Sequence, residues 1–446
     1  MLISSWLRNS KPSAPAAPPR TQTSPRQRAG FAPRLESLEG RCLLSGAIVQ
    51  TNLVSDNTQF TPAQVQDTNT VNPWGLAASP KGEWWLANEG AGTSTLYNTS
   101  QTQVSVDSSL VVKIPSEQGA PTGEVFNNGG PGTFDLVPNN DSTASVFLFA
   151  TTNGTISGWN PNAGPTNTVI GATNPGALYL GLAIAADSDG DPRLYAADFA
   201  NDNIDVYDQN FQLVTNLPGN FTDSKLPGDY HPFNIQAINN QLYVEYAPID
   251  KVLAGTADQG DGAVDVYNAD GQLQQRLIRH GHLDQPWAIA MAPANFGSFS
   301  NDLLVGNFGD GHINAFDPNN GHFDGQLKDA NGQPITITHL WGLAFGNGGK
   351  AGPTNTLYFT AGLTSHLAPS DNPFHGLFGS LQVATSREGD SASTLSSSIM
   401  PSSTMPTSTM SSPSRSGAAD VYNDGVLKKD STSTIGVLAG NPAILI

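Results

Sequence analysis

The chain has 446 residues, including 46 glycines and 32 prolines, and only 13% of its residues are charged. It carries 38 Asp and Glu against 20 Lys and Arg, a formal net charge of −18. Phosphate binding needs a basic surface, so this charge excludes nucleic acid as the predicted partner. No run of 18 apolar residues is present, so no transmembrane helix is predicted. Cys42 is the single cysteine, which excludes an intramolecular disulfide.

Residues 1–46 are rich in Pro, Ser and Arg, a composition typical of a disordered basic leader. The segment 34–45, with the sequence RLESLEGRCLLS, closes this region. It resembles the Leu-Glu-Pro-Arg type leader motif found on planctomycete surface and exported proteins. The resemblance implies a destination in the cell envelope or outside the cell. The alternative is a disordered basic arm without a targeting role.

A repeated segment organises residues 47–382. Each copy has an aromatic or apolar residue, a small or polar residue, Leu or Ile, and one further residue, and the copies are 46 to 60 residues apart. Short strands at a period of about 40–50 residues are typical of propeller blades. We therefore predict an all-β fold, a six-bladed β-propeller. The third positions of the six copies are Leu76, Leu136, Leu182, Ile235, Ile289 and Leu343.

The second copy is Phe134–Val137, which we expect to open the second blade. The sixth unit is short of strands, and the segment Ile48–Val54 has the pattern of an outer strand. We expect this N-terminal strand to complete the sixth blade, because closure leaves no open sheet edge between the first and last units. Residues 383–418 are rich in Ser, Thr and Pro and are predicted to be a linker. Residues 419–446 form a C-terminal tail of unpredicted structure.

Several segments of the propeller resemble a known group of proteins. They are similar to an uncharacterised family of secreted bacterial proteins that look like NHL-type six-bladed propellers. This resemblance implies the fold and export but no activity. The segments that carry it are Val71–Ala77, Leu194–Phe199, Pro232–Gln236 and Gln285–Phe316.

In a propeller, the loops before the innermost strands and the loops between the second and third strands lie on one face, around the mouth of the central channel. Aromatic residues at this mouth can stack on a sugar or a cation. The alternative is that each aromatic side chain simply packs against the next blade. The predicted ligand-binding residues are Trp74, Phe233, Trp287, Trp341, Glu89 and Asn307.

Four residues of the same face are candidates for acid–base chemistry or metal binding. His231 and His339 lie beside two of the aromatic residues, and Asp198 and Asp310 lie in loops between second and third strands. The alternative is that these histidines are structural. No serine-hydrolase elbow, phosphate-binding loop or zinc-binding helix occurs in the sequence.

A second candidate for metal binding is the loop containing Asp187, Asp189 and Asp191. Alternate carboxylates on a short loop can direct oxygen ligands at calcium. Pro192 stands where the glycine of an EF-hand loop belongs, and the loop is expected on the face opposite the mouth. An acidic hairpin turn without a metal is the alternative. No cofactor is expected, and Ca²⁺ is the one candidate ion.

These observations predict a monomeric, exported, non-catalytic module that binds a small molecule, a saccharide or a protein through the channel mouth. One alternative is a hydrolase or lyase acting on a saccharide, lactone or small peptide. A second alternative is a structural surface protein. Propellers support many functions, so the fold does not choose among these three.

Overall fold

A computed structural model describes residues 46–364 and 374–384, which form six sheets arranged as blades around a central channel. The innermost strand of each blade contacts that of the next, and the sixth contacts the first. The predicted six-bladed β-propeller is confirmed. Two strands precede the first blade, β1 (Ile48–Ser55) and β2 (Val65–Gln66).

The first three blades run consecutively along the chain, and each begins at its innermost strand. Blade 1 consists of β3 (Pro73–Ala78), β4 (Trp84–Asn88), β5 (Thr93–Asn98) and β6 (Ser105–Lys113). Blade 2 consists of β7 (Pro121–Phe126), β8 (Phe147–Thr151), β9 (Thr155–Trp159) and β10 (Val169–Thr173). Blade 3 has three strands, β11 (Tyr179–Ala186), β12 (Pro192–Asp198) and β13 (Asn203–Tyr207).

The remaining blades follow the same order. Blade 4 consists of β14 (Tyr230–Ile238), β15 (Gln241–Pro248), β16 (Ala263–Tyr267) and β17 (Leu273–Arg279), with helix α1 (Ile249–Ala254) between β15 and β16. Blade 5 consists of β18 (Pro286–Met291), β19 (Leu303–Asn307), β20 (Ile313–Phe316) and β21 (Phe323–Gln326). Blade 6 begins with β22 (Leu340–Phe345), β23 (Leu357–Thr364) and β24 (Phe374–Val383). Short 3₁₀ turns lie at Glu89–Ala91, Ser116–Gln118, Asp141–Thr143 and Gly297–Phe299.

The N-terminal strand closes the ring, as predicted. β1 pairs antiparallel with β24, from Ile48 opposite Val383 to Ser55 opposite Leu377, with one irregularity after Asn52. β2 then adds two residues in parallel to β1. Blade 6 therefore combines the first strand of the described chain with the last three.

The expected opening of blade 2 at Phe134–Val137 is wrong. This segment lies between β7 and β8, and the innermost strand is β7. Phe134 is fully buried with a φ of 54°, and its ring packs at 5.4 Å from that of Phe211. Its apolar pattern reflects packing of this loop on the next blade rather than a strand.

Small residues let the innermost strands approach one another closely around the channel. A Cβ atom on Gly75 would lie 2.7 Å from the carbonyl oxygen of Thr122, and one on Gly123 would lie 2.4 Å from the backbone nitrogen of Leu182. These distances exclude any side chain at the two positions. The corresponding residues in all six blades are Gly75, Gly123, Gly181, Asn234, Ala288 and Gly342.

The residue after this small position is Leu or Ile in five blades, but it is Glu124 in blade 2. Glu124 is 5% exposed, and both of its carboxyl oxygens lie 3.2 Å from the Ser94 hydroxyl of blade 1. Burial raises the pKa of Glu124 well above its ordinary value. The interface between blades 1 and 2 therefore holds a carboxyl group whose protonated form is favoured.

A second buried carboxyl group lies on β15. Glu245 is fully buried, and neither of its carboxyl oxygens has a hydrogen-bond partner within the described residues. Burial raises its pKa well above the ordinary value of 4.5. An uncompensated buried charge is costly, so the fold favours the neutral acid at this position.

We expect Glu245→Gln to remove part of the pH dependence of stability. The pKa of Glu245 is raised by folding, so its contribution to the free energy of unfolding is fully present below about pH 4.5. The contribution is lost as the pH rises through the folded-state pKa. Between pH 4 and pH 8, the free energy of unfolding of the variant should rise relative to that of wild type by at least about 1.4 kcal/mol. This is the free-energy equivalent of one pKa unit.

Denaturant unfolding at pH 4, 6 and 8 measures this difference. The matched control is Glu117→Gln, which makes the same chemical change at an exposed position. Parallel pH profiles for wild type and Glu245→Gln would contradict the prediction.

Deleting residues 47–54 should lower the melting temperature of the whole propeller in one cooperative transition. The deletion removes the strand that pairs with β24 and opens the ring. Thermal unfolding followed by circular dichroism measures the effect. The control deletes eight residues of the serine-rich segment, 391–398. An unchanged melting temperature on loss of 47–54 would contradict closure by β1.

Candidate functional site

Two loop classes meet on one face of the propeller, as predicted. In five blades, a residue at or near the end of the second strand donates its backbone N–H to the carbonyl of the residue before the innermost strand. These bonds are 3.0–3.1 Å long and run from Glu89 to Asn72, Thr152 to Ala120, Phe199 to Leu178, Phe308 to Gln285, and Gly362 to His339. In blade 4 the corresponding pair is Ala247 with His231. We call these six residues near the ends of the second strands the mouth ring: Glu89, Thr152, Phe199, Ala247, Phe308 and Gly362. Ala247 and Gly362 lie within β15 and β23, and the other four directly follow their second strands.

Four aromatic rings fill the channel beneath the mouth ring, and we call them the aromatic plug: Trp74, Phe233, Trp287 and Trp341. Trp74 and Trp341 stack with ring centroids 3.6 Å apart. Trp287 packs edge-on against Trp74 at 6.2 Å and against Trp341 at 5.5 Å. Phe233 lies 6.1 Å from Trp341. All four side chains are at most 4% exposed, so they contact one another rather than solvent.

The channel beside the plug has little free space. The cavity lined by Trp287 and the small residues of the innermost strands measures about 40 Å³. One water molecule occupies about 30 Å³ of the liquid, so this cavity has room for a water molecule but is too small for an organic ligand. A ligand at this end of the propeller would therefore rest above the plug.

Asn72 connects the plug to the mouth ring. Its side-chain oxygen accepts a 3.1 Å hydrogen bond from Trp341 Nε1, and its Nδ2 donates a 2.8 Å bond to Glu89 Oε2. Asn72 is 5% exposed and has a φ of 46°. Gln285 and His339, which precede the innermost strands of blades 5 and 6, also have positive φ values, 50° and 49°. Such conformations cost about 1–3 kcal/mol each and are concentrated at functional sites.

Glu89 is half-buried at the mouth, on a 3₁₀ turn. Its turn is fixed by two hydrogen bonds, from Glu89 N to Asn72 O and from Gly90 N to Val71 O, each 3.1 Å long. Burial raises the pKa of the Glu89 carboxyl, and the bond from Asn72 partly offsets this shift. No ion pair joins Glu89 to a Lys, Arg or His within residues 46–364 and 374–384.

Both predicted histidines are half-buried at the mouth. His231 Nδ1 lies 2.6 Å from the carbonyl oxygen of Phe199, and Asp202 is close enough to interact with the imidazole electrostatically. His339 Nδ1 lies 2.9 Å from the carbonyl oxygen of Gly362, and its ring stacks on Phe308 at 5.0 Å. The His231 contact thus holds the start of the loop after β12, and the His339 contact holds β23 near its end.

The predicted acids are engaged in their own loops. Asp198 is 1% exposed and accepts the backbone N–H of Leu178 at 3.0 Å and Asn201 Nδ2 at 2.7 Å. Asp310 Oδ2 lies 2.9 Å from His312 Nδ1, and its Oδ1 accepts a 3.0 Å bond from Asn307. These contacts organise the loops of blades 3 and 5. Catalysis by the four predicted residues stays a prediction, as does ligand binding by Asn307, which is fully buried.

The calcium candidate forms a self-contained turn between β11 and β12. Asp187 Oδ1 accepts the backbone N–H groups of Asp189 and Asp191 at 2.9 and 3.0 Å, and its Oδ2 lies 2.8 Å from Arg193. In the described part of the chain, no group of three or more His, Cys, Asp or Glu residues is arranged to hold a metal ion. Calcium binding here stays a prediction.

Three further residues at the mouth were not identified as site residues from the sequence: Asn72, Gly362 and Asp284. A Cβ atom on Gly362 would lie 1.9 Å from Asn72 Oδ1, so only glycine fits beside the Asn72 side chain. Asp284 is 4% exposed and its Oδ1 has no partner within the described residues. Burial and the nearby Asp310 raise its pKa to about 6. One sequence signal could have identified Asn72. A polar residue followed by proline recurs at the start of innermost strands, as Asn72-Pro73 and Gln285-Pro286.

Comparison with known proteins identifies relatives in a virus. The chain is 33% identical over 337 residues to uncharacterised protein R648 of Acanthamoeba polyphaga mimivirus, which spans 74% of this chain and 78% of R648. The chain belongs to the R648 family. Protein L690 of the same virus is 32% identical over 287 residues, 62% of this chain and 74% of L690. No protein-family model matches the chain.

Membership of the R648 family corrects one expectation. The assignment to a secreted bacterial family with a planctomycete leader is wrong, because these relatives are mimivirus proteins. The leader segment and the predicted tail, residues 419–446, lie outside the described residues, as does nearly all of the linker, 383–418. Within the described residues, no helix has the length and apolar character needed to cross a membrane. Export stays a prediction.

Solved structures also resemble the chain at low sequence identity. A streptogramin B lyase structure is 12% identical with a TM-score of 0.42, covering 77% of this chain and all of the lyase chain. A nidogen/laminin complex is 12% identical with a TM-score of 0.38, covering 65% of this chain and 85% of the matched chain. At these scores, neither likeness bears on the activity of the R648 family.

We expect Gly362→Ala to break the hydrogen bond between Asn72 and Trp341. The added methyl group would overlap Asn72 Oδ1 and would lie 3.0 Å from Trp341 Nε1. The loss should cost about 1–3 kcal/mol of stability, as for other disrupted buried hydrogen bonds. Thermal unfolding and the indole N–H resonance of Trp341 measure both effects.

Gly228→Ala is the matched control, because a Cβ atom at that position meets nothing within 4 Å. The prediction fails if the two variants have the same melting temperature and the Trp341 resonance is unshifted in Gly362→Ala.

Proposed function

We propose that the protein is a non-catalytic binding module that holds a small-molecule, saccharide or protein ligand on the mouth ring. The observation that carries this proposal is the fixed polar network above the plug, in which Asn72 joins Trp341 below to Glu89 above. The network presents a half-buried carboxylate over the channel in a defined orientation. Such preorganised polar groups over an apolar floor are typical of binding sites.

The aromatic plug supports a surface site rather than a channel site. Its rings already contact one another, so a ligand would gain little by displacing them and would lose the stacking of Trp74 on Trp341. The plug instead supplies a rigid floor. The half-buried side chains above that floor are Glu89, Thr152, Ala120, Leu178, His231 and His339.

Backbone strain at the mouth supports the same proposal. Asn72, Gln285 and His339 adopt left-handed conformations at corresponding positions of three blades. The side chains of these residues then reach Trp341, the carbonyl of Thr256 and the carbonyl of Gly362. The strain is offset by these contacts, which hold the mouth loops in one arrangement before any ligand binds.

A blocked mouth tests the proposal. Ala120→Trp places a large side chain at the half-buried edge of the mouth, and Gln101→Trp places one on an exposed loop of the opposite face. Wild type and both variants are screened by ligand-observed NMR against a panel of monosaccharides, oligosaccharides, aliphatic amines and short peptides. We expect at least one panel member to bind wild type and Gln101→Trp but not Ala120→Trp.

The proposal is overturned if nothing in the panel binds wild type. It is equally overturned if every compound that binds does so with the same affinity to the blocked variant. Circular dichroism and thermal unfolding confirm that Ala120→Trp is folded before it is screened.

A further inference from the structure

We propose that the ligand of the mouth ring is an aliphatic amine in its protonated form, anchored by the Glu89 carboxylate. This inference rests on the proposed function and specifies the chemistry of its ligand. It is argued from the position of Glu89 in the sixfold arrangement, from the state of its carboxylate and from the charge of the surrounding surface.

Glu89 is the single ionisable side chain of the mouth ring. The other five positions hold Thr152, Phe199, Ala247, Phe308 and Gly362. The blades repeat one backbone geometry here, as the conserved bond lengths of 3.0–3.1 Å in five of them indicate. A carboxylate at one of six equivalent positions breaks the symmetry of the mouth and marks one side of it. A ligand with one cationic end matches that asymmetry.

The Glu89 carboxylate is placed to accept a cation. Asn72 Nδ2 occupies only Oε2, at 2.8 Å, and no cationic side chain of the described residues forms an ion pair with the group. Its raised pKa reflects partial loss of hydration. A charge-assisted bond to an ammonium group is roughly twice as strong as a bond to a neutral hydroxyl, so a partly dehydrated carboxylate discriminates in favour of the amine.

The surface charge favours cations in general. The described residues carry 30 Asp and Glu against 9 Lys and Arg, a formal charge of −21. Five of the nine cations are held in ion pairs: Arg193, Lys251, Arg276, Arg279 and Lys350. In the loops of the mouth, the exposed Asp202, the half-buried Asp310 and the buried Asp284 add negative charge. This field raises the local concentration of cationic ligands.

The rest of the mouth sets the character of the ligand body. The carboxylate lies on the blade 1 side, whereas the mouth-ring residues of blades 3, 4 and 5, Phe199, Ala247 and Phe308, are buried. Ala120 and Leu178, which precede the innermost strands of blades 2 and 3, are half-buried. An alkyl chain that extends from Glu89 towards blades 2 and 3 would cover these two half-buried apolar side chains. A short alkylamine is therefore the simplest probe.

The test compares butylamine with its neutral isostere butan-1-ol on the full-length protein, by ligand-observed NMR titration at pH 7.5. We expect butylamine to bind at least tenfold more tightly than butan-1-ol. Glu89→Gln, which keeps the shape and removes the charge, should weaken butylamine at least tenfold and leave the affinity for butan-1-ol unchanged. Asp189→Asn is the matched control, with the same loss of charge at an exposed position on the opposite face.

Each contrary outcome has a distinct meaning. If butylamine does not bind, or binds no better than butan-1-ol, the amine inference is overturned. If a neutral compound from the panel still binds and is excluded by Ala120→Trp, the proposed binding function nevertheless stands. If Asp189→Asn weakens butylamine as much as Glu89→Gln does, the effect is one of net charge, and anchoring by Glu89 is overturned.

Discussion

The close approach of the six innermost strands is the constraint on which the rest of the molecule depends. At four of the six interfaces, a Cβ atom on the glycine of one strand would lie within 3 Å of the backbone of the next; these glycines are Gly75, Gly123, Gly181 and Gly342. This spacing sets the width of the channel, and at that width four large aromatic rings leave a cavity of only about 40 Å³ beside them. The blades could tilt apart to admit a larger channel only by giving up these backbone contacts and the packing between blades.

The plug explains why the polar network lies where it does. Once the rings are stacked, the indole N–H of Trp341 needs a buried partner, and Asn72 provides it from the neighbouring blade. The other end of the same amide then orients Glu89. Packing inside the channel and the position of the surface carboxylate are therefore linked through the Asn72 side chain. The left-handed backbone conformation of Asn72 is the energetic cost of this arrangement.

The sequence predicted five of the six innermost strands because Trp74, Leu180, Phe233, Trp287 and Trp341 stand at regular spacing before small or short side chains. It failed in blade 2, where Thr122 and Glu124 replace the aromatic and apolar residues and the pattern disappears. The segment at Phe134 was mistaken for a copy of the repeated segment, because a residue in a buried loop is apolar for the same reason as one in a buried strand. The two loop classes were expected on one face, and the backbone hydrogen bonds between them confirm this, whereas ligand binding there stays a prediction. Their mutual contacts could not be predicted, because distances between side chains of different blades depend on the channel width and not on local pattern.

Ring closure by β1 also imposes an order on folding. Ile48 pairs with Val383, 335 positions later in the chain, whereas most other strand pairs join neighbours in sequence. Contacts of such long sequence separation form slowly, because the intervening chain must be ordered first. Among the described strands β1 is synthesised first, and its partner β24 follows only after five blades and the first two strands of blade 6. The edge of β24 and the edge of β1 are therefore exposed together in the nearly complete chain. For that interval, pairing with the wrong molecule competes with closure, and a chaperone that shields the first strand would raise the yield of folded propeller.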